Sequence, residues 1–359
     1  MSLFDRDKSA ERLPVSLITG FLGSGKTTLL NRLLRHPDMA DSAVVINEFG
    51  EIGLDHLLVE RLDGEVAVMA SGCVCCTMRS DLEATLRGLL VRRDRGEVPP
   101  FRRVLVESTG LADPAPIAQL LLNNPLVAHH LRLDAIVATV DAVHGDRQLD
   151  EHPEAVKQAA MADRLLLTKT DIADAAAARR LRARLARLNP GAALHVAPHG
   201  AVEPDRLFGA GLFDPGRGPD VRRWLRDDAY DGRARHGHGR DHAGHDPADT
   251  HAHAHAHDAA IRAVCLAFDD PLDWLAVQGW LGALRQRRGD GLLRVKGILN
   301  LRDEDAPVAV HGVHHVFHPP VRLPGWPDGD RRSRVVFITR GVDRAEIEAG
   351  LPGALAPAA

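Results

Sequence analysis

From Pro14 to about Ala197, short apolar runs alternate with longer amphipathic ones. The runs Val15–Thr19, Ala43–Asn47, Val66–Met69, Val104–Glu107, Ala135–Asp141, Leu165–Thr168 and Ala193–Ala197 are short, β-branched and nearly all apolar. Strands covered on both faces look like this, whereas half-solvated strands alternate. Between them, Thr27–Leu34, Ser80–Arg93, Pro114–Leu122, Glu154–Ala162 and Ala173–Leu188 have helical character. Strand and helix in alternation predict an α/β fold with a doubly wound, mostly parallel sheet. Ligands of such sheets bind at the carboxyl ends of the strands, so the chemistry should gather there.

The pattern changes near residue 199, where Pro, Gly, Asp and Arg dominate and HGHGRDHAGHDPADTHAHAHAHD follows. This stretch has almost no apolar side chains to offset the entropy of ordering, which predicts a disordered loop. Pattern resumes at Ile261: a strand (Ile261–Phe268), a helix (Leu272–Gln286), two strands flanking a turn at Arg302–Pro307, a strand (Arg334–Thr339) and a short helix (Asp343–Ala349). The expected organisation is a first domain over 1–200, a linker with a His-rich loop over 201–258, a small α+β domain over 259–350 and a loose tail over 351–359.

Composition narrows the function classes. At 45% hydrophobic, 26% charged and a formal net charge of -4, the chain is a globular protein without the basic balance that nucleic acid or an anionic membrane would select. The N-terminus lacks a secretory h-region and no apolar stretch reaches bilayer length, so a cytoplasmic location is expected. Two residue types stand out. Three of the 4 cysteines, Cys73, Cys75 and Cys76, sit within one short segment, and eight of the 20 histidines lie between His236 and His257.

After the first strand comes Gly20-Phe-Leu-Gly23-Ser24-Gly25-Lys26-Thr27-Thr28, then a helical run. This G-x-x-x-x-G-K-[ST] pattern in a strand–loop–helix context is a phosphate-binding loop, and the fold becomes that of a P-loop NTPase. Backbone N–H groups curl around phosphates, Lys26 reaches the β/γ-phosphates, Thr27 can ligate Mg²⁺, and the helix N-terminus adds partial positive charge. A second acid follows at another strand end, Val104-Leu-Val-Glu107-Ser-Thr-Gly110, where Glu107 would serve the Mg²⁺ shell or position a water and Gly110 could sense the γ-phosphate. The third element, Thr168-Lys169-Thr170-Asp171, resembles the base-reading box of GTPases, with Thr168 replacing the commoner asparagine. An aspartate there accepts from guanine N1 and N2, a donor pair that adenine lacks.

Three thiols in C-x-C-C can surround one soft or borderline ion such as Zn²⁺, with a further ligand from Glu48, Glu51 or a histidine. A buried structural cysteine would account for one thiol but not three, and redox pairs are normally spaced C-x-x-C. The A-H-A-H-A-H tract suits weak buffering of several ions. His311, His314, His315 and His318, on a half-exposed strand, are expected to be ordinary surface or partner-facing residues.

Taken in order, GFLGSGKTTLL, INEFGEIGLD, SGCVCCT, ESTGLADP and LLLTKTD resemble the CobW-type branch of P-loop GTPases, related to the nickel-insertion GTPases of urease and hydrogenase maturation. The resemblance spans about Pro14 to Pro198 and extends more loosely to VKGILNL and AVHGVHHVF. It implies GTP hydrolysis coupled to delivery of a metal, commonly Zn²⁺, with Co²⁺ for cobalamin and iron or cobalt for nitrile hydratase in other branches. It places the cargo on Cys73, Cys75 and Cys76 and implies a client metalloprotein as partner. Neither nucleic acid nor membrane is expected, and a homo-oligomer is compatible with the family. The rival readings are a cobalt-handling GTPase of cobalamin biosynthesis and a zinc-storage or sensing protein with a vestigial GTPase.

Overall fold

A computed structural model of the chain describes residues 12–49, 67–71, 78–209, 261–323, 325–326 and 330–351, with only the backbone for 47–49, 67–71 and 78–81. The C-x-C-C cysteines, Glu51 and the His236–His257 tract lie outside these residues, and Glu48 is described by its backbone alone.

The first unit is the expected α/β sandwich. Its strands are β1 (Leu13–Gly20), β2 (Ser42–Phe49), β3 (Ala67–Ser71), β4 (Arg103–Ser108), β5 (Leu131–Asp141), β6 (Arg164–Thr168) and β7 (Ala193–Ala197). Among the described residues they form one sheet of order β3-β2-β4-β1-β5-β6-β7, parallel throughout. The helices are α1 (Lys26–Leu34), α2 (Met78–Asp94), α3 (Ala115–Asn123), α4 (Pro125–His130), α5 (Gly145–Glu151), α6 (Pro153–Met161), α7 (Ala175–Leu188) and α8 (Pro204–Leu207). Successive strand residues serve opposite faces. Ile18, Val44, Ile46 and Leu105 pack with Leu29, Leu30 and Leu33 of α1, while Leu17, Val45, Val104 and Val106 pack with Leu82 and Leu86 of α2 and with α3. This explains why the strands are apolar without alternation. α1 leaves β1 toward one face and α3 leaves the neighbouring β4 toward the other. The gap between their carboxyl ends is therefore a topological switch point.

The second unit holds β8 (Ile261–Phe268), α9 (Trp274–Arg288), β9 (Leu292–Leu299), β10 (Val308–Val313), β11 (Val316–Phe317), β12 (Val321–Arg322), β13 (Ser333–Arg340) and α10 (Arg344–Glu348). Its antiparallel sheet runs β11-β10-β9-β13-β8, with β12 beside β10. The expected helix from Leu272 begins later, because Asp273 caps it by accepting from the Ala276 N–H (2.8 Å) and Leu272 bridges to Leu301 instead. Trp280 of α9 packs edge-on against Phe268 and Phe337 and donates its Nε1–H to the Ile347 carbonyl (2.9 Å).

The two units share a core, in which Leu293, Val313 and Ile338 join Ala160, Met161 and α3. At their junction the Asp163 carboxylate accepts from Lys296 Nζ (2.5 Å), the Arg294 guanidinium (2.9 Å) and the Ile136 N–H (2.9 Å), and Arg294 also donates to the Met161 carbonyl. Burial would raise the Asp163 carboxyl, but Arg294 and Lys296 outweigh it and hold the group well below the usual carboxylate range. The same junction corrects the expectation for the histidine strand. His311 and His314 are buried, because the hairpin of β10 and β11 lies against α3 rather than against water.

Candidate functional site

Gly20, at the carboxyl end of β1, has φ +140, and a Cβ there would meet Thr139 Oγ1 at 2.3 Å and the Thr139 carbonyl at 2.5 Å. Only glycine lets the loop pass so close to β5. The loop then turns through a Ser24 N–H to Phe21 carbonyl bond (3.1 Å) and enters α1 at Gly25, φ 95, with no side chain capping the helix. An uncapped start leaves the first N–H groups of α1 directed at whatever lies above the loop, which suits an anion. Ser24 Oγ and Thr139 Oγ1 share a 2.6 Å hydrogen bond that fixes the loop to the sheet.

Lys26 is buried, and its Nζ donates to the carbonyls of Gly20 (3.0 Å) and Phe21 (3.3 Å), so the ammonium lies across the loop it belongs to. The Thr27 hydroxyl donates to Glu107 Oε1 at 3.1 Å, joining the start of α1 to the end of β4. Residues 80 positions apart thus meet at the switch point. A hydroxyl and a carboxylate converging this way are hard oxygen donors of the kind that fit Mg²⁺. Gly110 follows on a short loop held from behind by Gln158, whose Nε2 donates to the carbonyls of Gly110 (3.2 Å) and Ala112 (3.0 Å). Asp113 of the same loop accepts from Lys157 Nζ at 2.6 Å.

The Thr168–Asp171 segment follows β6, two strands from β1. Thr168 Oγ1 donates to the Ser24 carbonyl (2.7 Å) and approaches the Val140 carbonyl (3.2 Å). The residue that departs from the commoner asparagine therefore still fastens this segment to the phosphate loop. Lys169 adopts φ 56 and pairs with the buried Asp141 (2.8 Å). Asp141 is itself oriented by the Val143 N–H (2.7 Å). Asp171 stands at the rim, with His199 Nδ1 3.6 Å from its Oδ2. Gly23 and Thr28 are exposed on the loop and the first turn of α1.

Thr139, Asp141, Gln158 and His199 escaped the sequence reading. Thr139 and Asp141 had a usable signal, since polar residues close an otherwise apolar strand at its ligand end. Gln158 and His199 had none. Among the described residues, no group of three or more His, Cys, Asp or Glu is arranged to hold a metal ion, and no helix is long and apolar enough to cross a membrane.

Comparison with known proteins agrees with this geometry. Residues 14–196 match the family described as CobW/HypB/UreG, nucleotide-binding domain, and residues 261–355 match the cobalamin synthesis protein cobW C-terminal domain. The chain is 33% identical over 341 residues to the zinc chaperone YjiA of Escherichia coli, covering 95% of this chain and 98% of that one. It is 33% identical over 216 residues to the zinc chaperone CobW of Pseudomonas aeruginosa, covering 52% and 56%. The crystal structure of Zn(II)-bound YjiA GTPase from E. coli superposes with a TM-score of 0.66 at 30% identity, covering 96% of this chain and 99% of that one.

Proposed function

Because this chain belongs to the CobW/HypB/UreG family of nucleotide-binding proteins and carries the CobW C-terminal domain, we propose that it is a GTP-hydrolysing metallochaperone. In this reading Zn²⁺ is the cargo and a client metalloprotein the recipient. Residues 1–200 would form the GTPase domain, 201–258 a linker with a histidine-rich ion buffer, and 259–350 the C-terminal domain. The observation that carries the nucleotide half is the meeting of Lys26, Thr27 and Glu107 at the switch point, with the Thr27–Glu107 bond of 3.1 Å.

The chain's own residues divide the work. The N–H groups of Gly23, Gly25 and Thr28 would bind phosphate oxygens while Ser24 holds the turn of the loop, and the Lys26 ammonium would leave the Gly20 and Phe21 carbonyls for the β/γ-phosphates. Its charge stabilises the negative charge that grows as the terminal phosphoryl transfers. Thr27 and Glu107 would hold Mg²⁺, which when bound neutralises phosphate charge. Asp171 would accept from guanine N1 and N2, with Thr168 and the Lys169–Asp141 pair fixing its loop. Cys73, Cys75 and Cys76, with Glu48 as a further ligand, would carry the zinc.

Support for zinc comes from the relatives named zinc chaperones and from the three-thiol spacing, whose soft donors suit zinc better than Mg²⁺. The test is GTP turnover by wild type and by Lys26→Ala. The variant should keep its circular dichroism and lose hydrolysis, and undiminished turnover would sink the assignment.

A further inference from the structure

The C-terminal end of α9 and the turn after β13 enclose a cleft of about 370 Å³, lined by Arg285, Arg287, Arg288, Arg340, Asp290 and His315. Basic residues at the end of a helix ordinarily answer its dipole, which would account for Arg285 to Arg288. It does not account for Arg340, which comes from another strand. Arg288 pairs with Glu346, whereas Arg285, Arg287 and Arg340 make no ion pair among the described residues. Asp290 offsets one of these three charges, leaving a local excess of cations in a chain whose formal net charge is -4.

This cleft is mechanically tied to the nucleotide site. Gly289, on its wall, packs so closely on His315 that a Cβ would sit 2.9 Å from the His315 Cβ. His314 and His315 form the two-residue turn between β10 and β11, where Val313 faces Val316. His314 has φ 53, is 6% exposed, and its buried Nε2 makes no hydrogen bond among the described residues. A bulky residue at positive φ with an unsatisfied ring nitrogen is under strain that its surroundings must sustain. The hairpin that carries it packs on α3, and Asp113, paired with Lys157, accepts from the Ala115 N–H that opens α3 (2.9 Å). Asp113 belongs to the loop that Gln158 holds at Gly110. A displacement of that loop therefore has a packed route through α3 and the β10–β11 hairpin to His315, Gly289 and the arginines.

We propose that this cleft docks an acidic segment of a partner protein, with an affinity set by nucleotide state through the His314–His315 turn. The inference rests on the GTPase reading and names the chemistry by which a client would be recognised. Arginine forks take carboxylates in bidentate pairs, and the interspersed Asp290 and the chain's negative charge disfavour a polyphosphate or nucleic acid. Coupling must be reciprocal, so a docked acidic segment would change nucleotide affinity by the same factor.

The experiment is fluorescence anisotropy of a short labelled Glu/Ser peptide titrated with the full chain, in GDP and in a non-hydrolysable GTP analogue, with amide-exchange protection of Gly20–Thr28 followed in parallel. Saturable binding is expected, about tenfold or more weaker in Arg287→Glu/Arg340→Glu because charge-assisted pairs are lost. A difference of about fivefold or more between nucleotide states is expected, shrinking in His315→Ala. A Gln/Ser peptide should not bind. Equal binding by the charge-reversed variant, or displacement of the peptide by inorganic phosphate at matched concentration, would overturn the docking site. Equal peptide affinity in both states, with nucleotide protecting Gly20–Thr28, would overturn the coupling. Absence of that protection would instead overturn the GTPase reading, and the peptide titration would still decide the cleft.

Discussion

Asp163→Asn removes the anion at the centre of the junction between the two units. The carboxylate, 4% exposed, is surrounded by Arg294 at 2.9 Å, Lys296 at 2.5 Å and the Ile136 N–H at 2.9 Å. An asparagine can still accept from Ile136 but leaves two cations buried beside each other. Breaking a buried pair in this way costs about 3–5 kcal/mol. At about 2–4 °C per kcal/mol for a domain of the larger sizes, the melting temperature should fall by roughly 6 °C or more. The loss should also depend on pH. Burial pushes the Lys296 ammonium down to about 7 although Asp163 pulls it upward, so without Asp163 its folded-state pKa falls below that, further still from the unfolded value of about 10.4. Between that lowered value and about 7 the unfolded chain binds more protons than the folded variant but not than the folded wild type, so the loss shrinks as pH rises, by up to about 1.4 kcal/mol per unit, and is level above about 7. Urea and thermal denaturation at about pH 5.5 and about pH 8 would measure both effects. A loss below about 1 kcal/mol, unchanged between the two pH values, would show that the cluster is solvated and that the units are not joined through it.

Two shorter predictions concern the nucleotide site. Gly20→Ala should weaken guanine-nucleotide binding at least tenfold in calorimetry, because the new Cβ must displace the Thr139 backbone at a φ that alanine resists; unchanged affinity would show the loop to be looser than described. Asp171→Asn should weaken GTP and favour a xanthine nucleotide, whose O2 accepts from the new amide. Equal affinity of the wild type for GTP and ATP would mean that this segment does not read the base.

Strands of the first unit were legible because both faces are covered, so nearly every residue had to be apolar. The meeting of Thr27 with Glu107 was foreshadowed because the loop after β1 and the end of β4 open on the same side of a parallel sheet. α4 and α5 were not, since six or seven residues give too few turns for a helical period to emerge. His311 and His314 were misjudged for a different reason. Alternation along β10 marks two faces but cannot say that α3 covers one of them. Asp163 carried no signal in the sequence because its partners, Arg294 and Lys296, lie more than 130 positions away. Thr168 shows the limit of motif matching. The motif alone does not say how a threonine there is held, whereas in the structure its hydroxyl donates to the Ser24 carbonyl at 2.7 Å.

The central claim is that nucleotide state governs metal affinity. In sequence, Gly50–Asp55 follow β2 and the cysteines follow β3, and both strands run parallel with β1 and so end on the same side of the sheet as the phosphate loop. Thiolates must shed protons to bind, so zinc affinity should also fall as pH drops. The decisive measurement is a competition titration of Zn²⁺ into the chain with His236–His257 deleted, without nucleotide, with GDP and with a non-hydrolysable GTP analogue. Zinc affinities that differ by about 5- to 150-fold between states, with the difference lost when Cys73, Cys75 and Cys76 become serine, are the predicted result. Identical affinity in all three states would contradict it and leave the cysteines a static structural site.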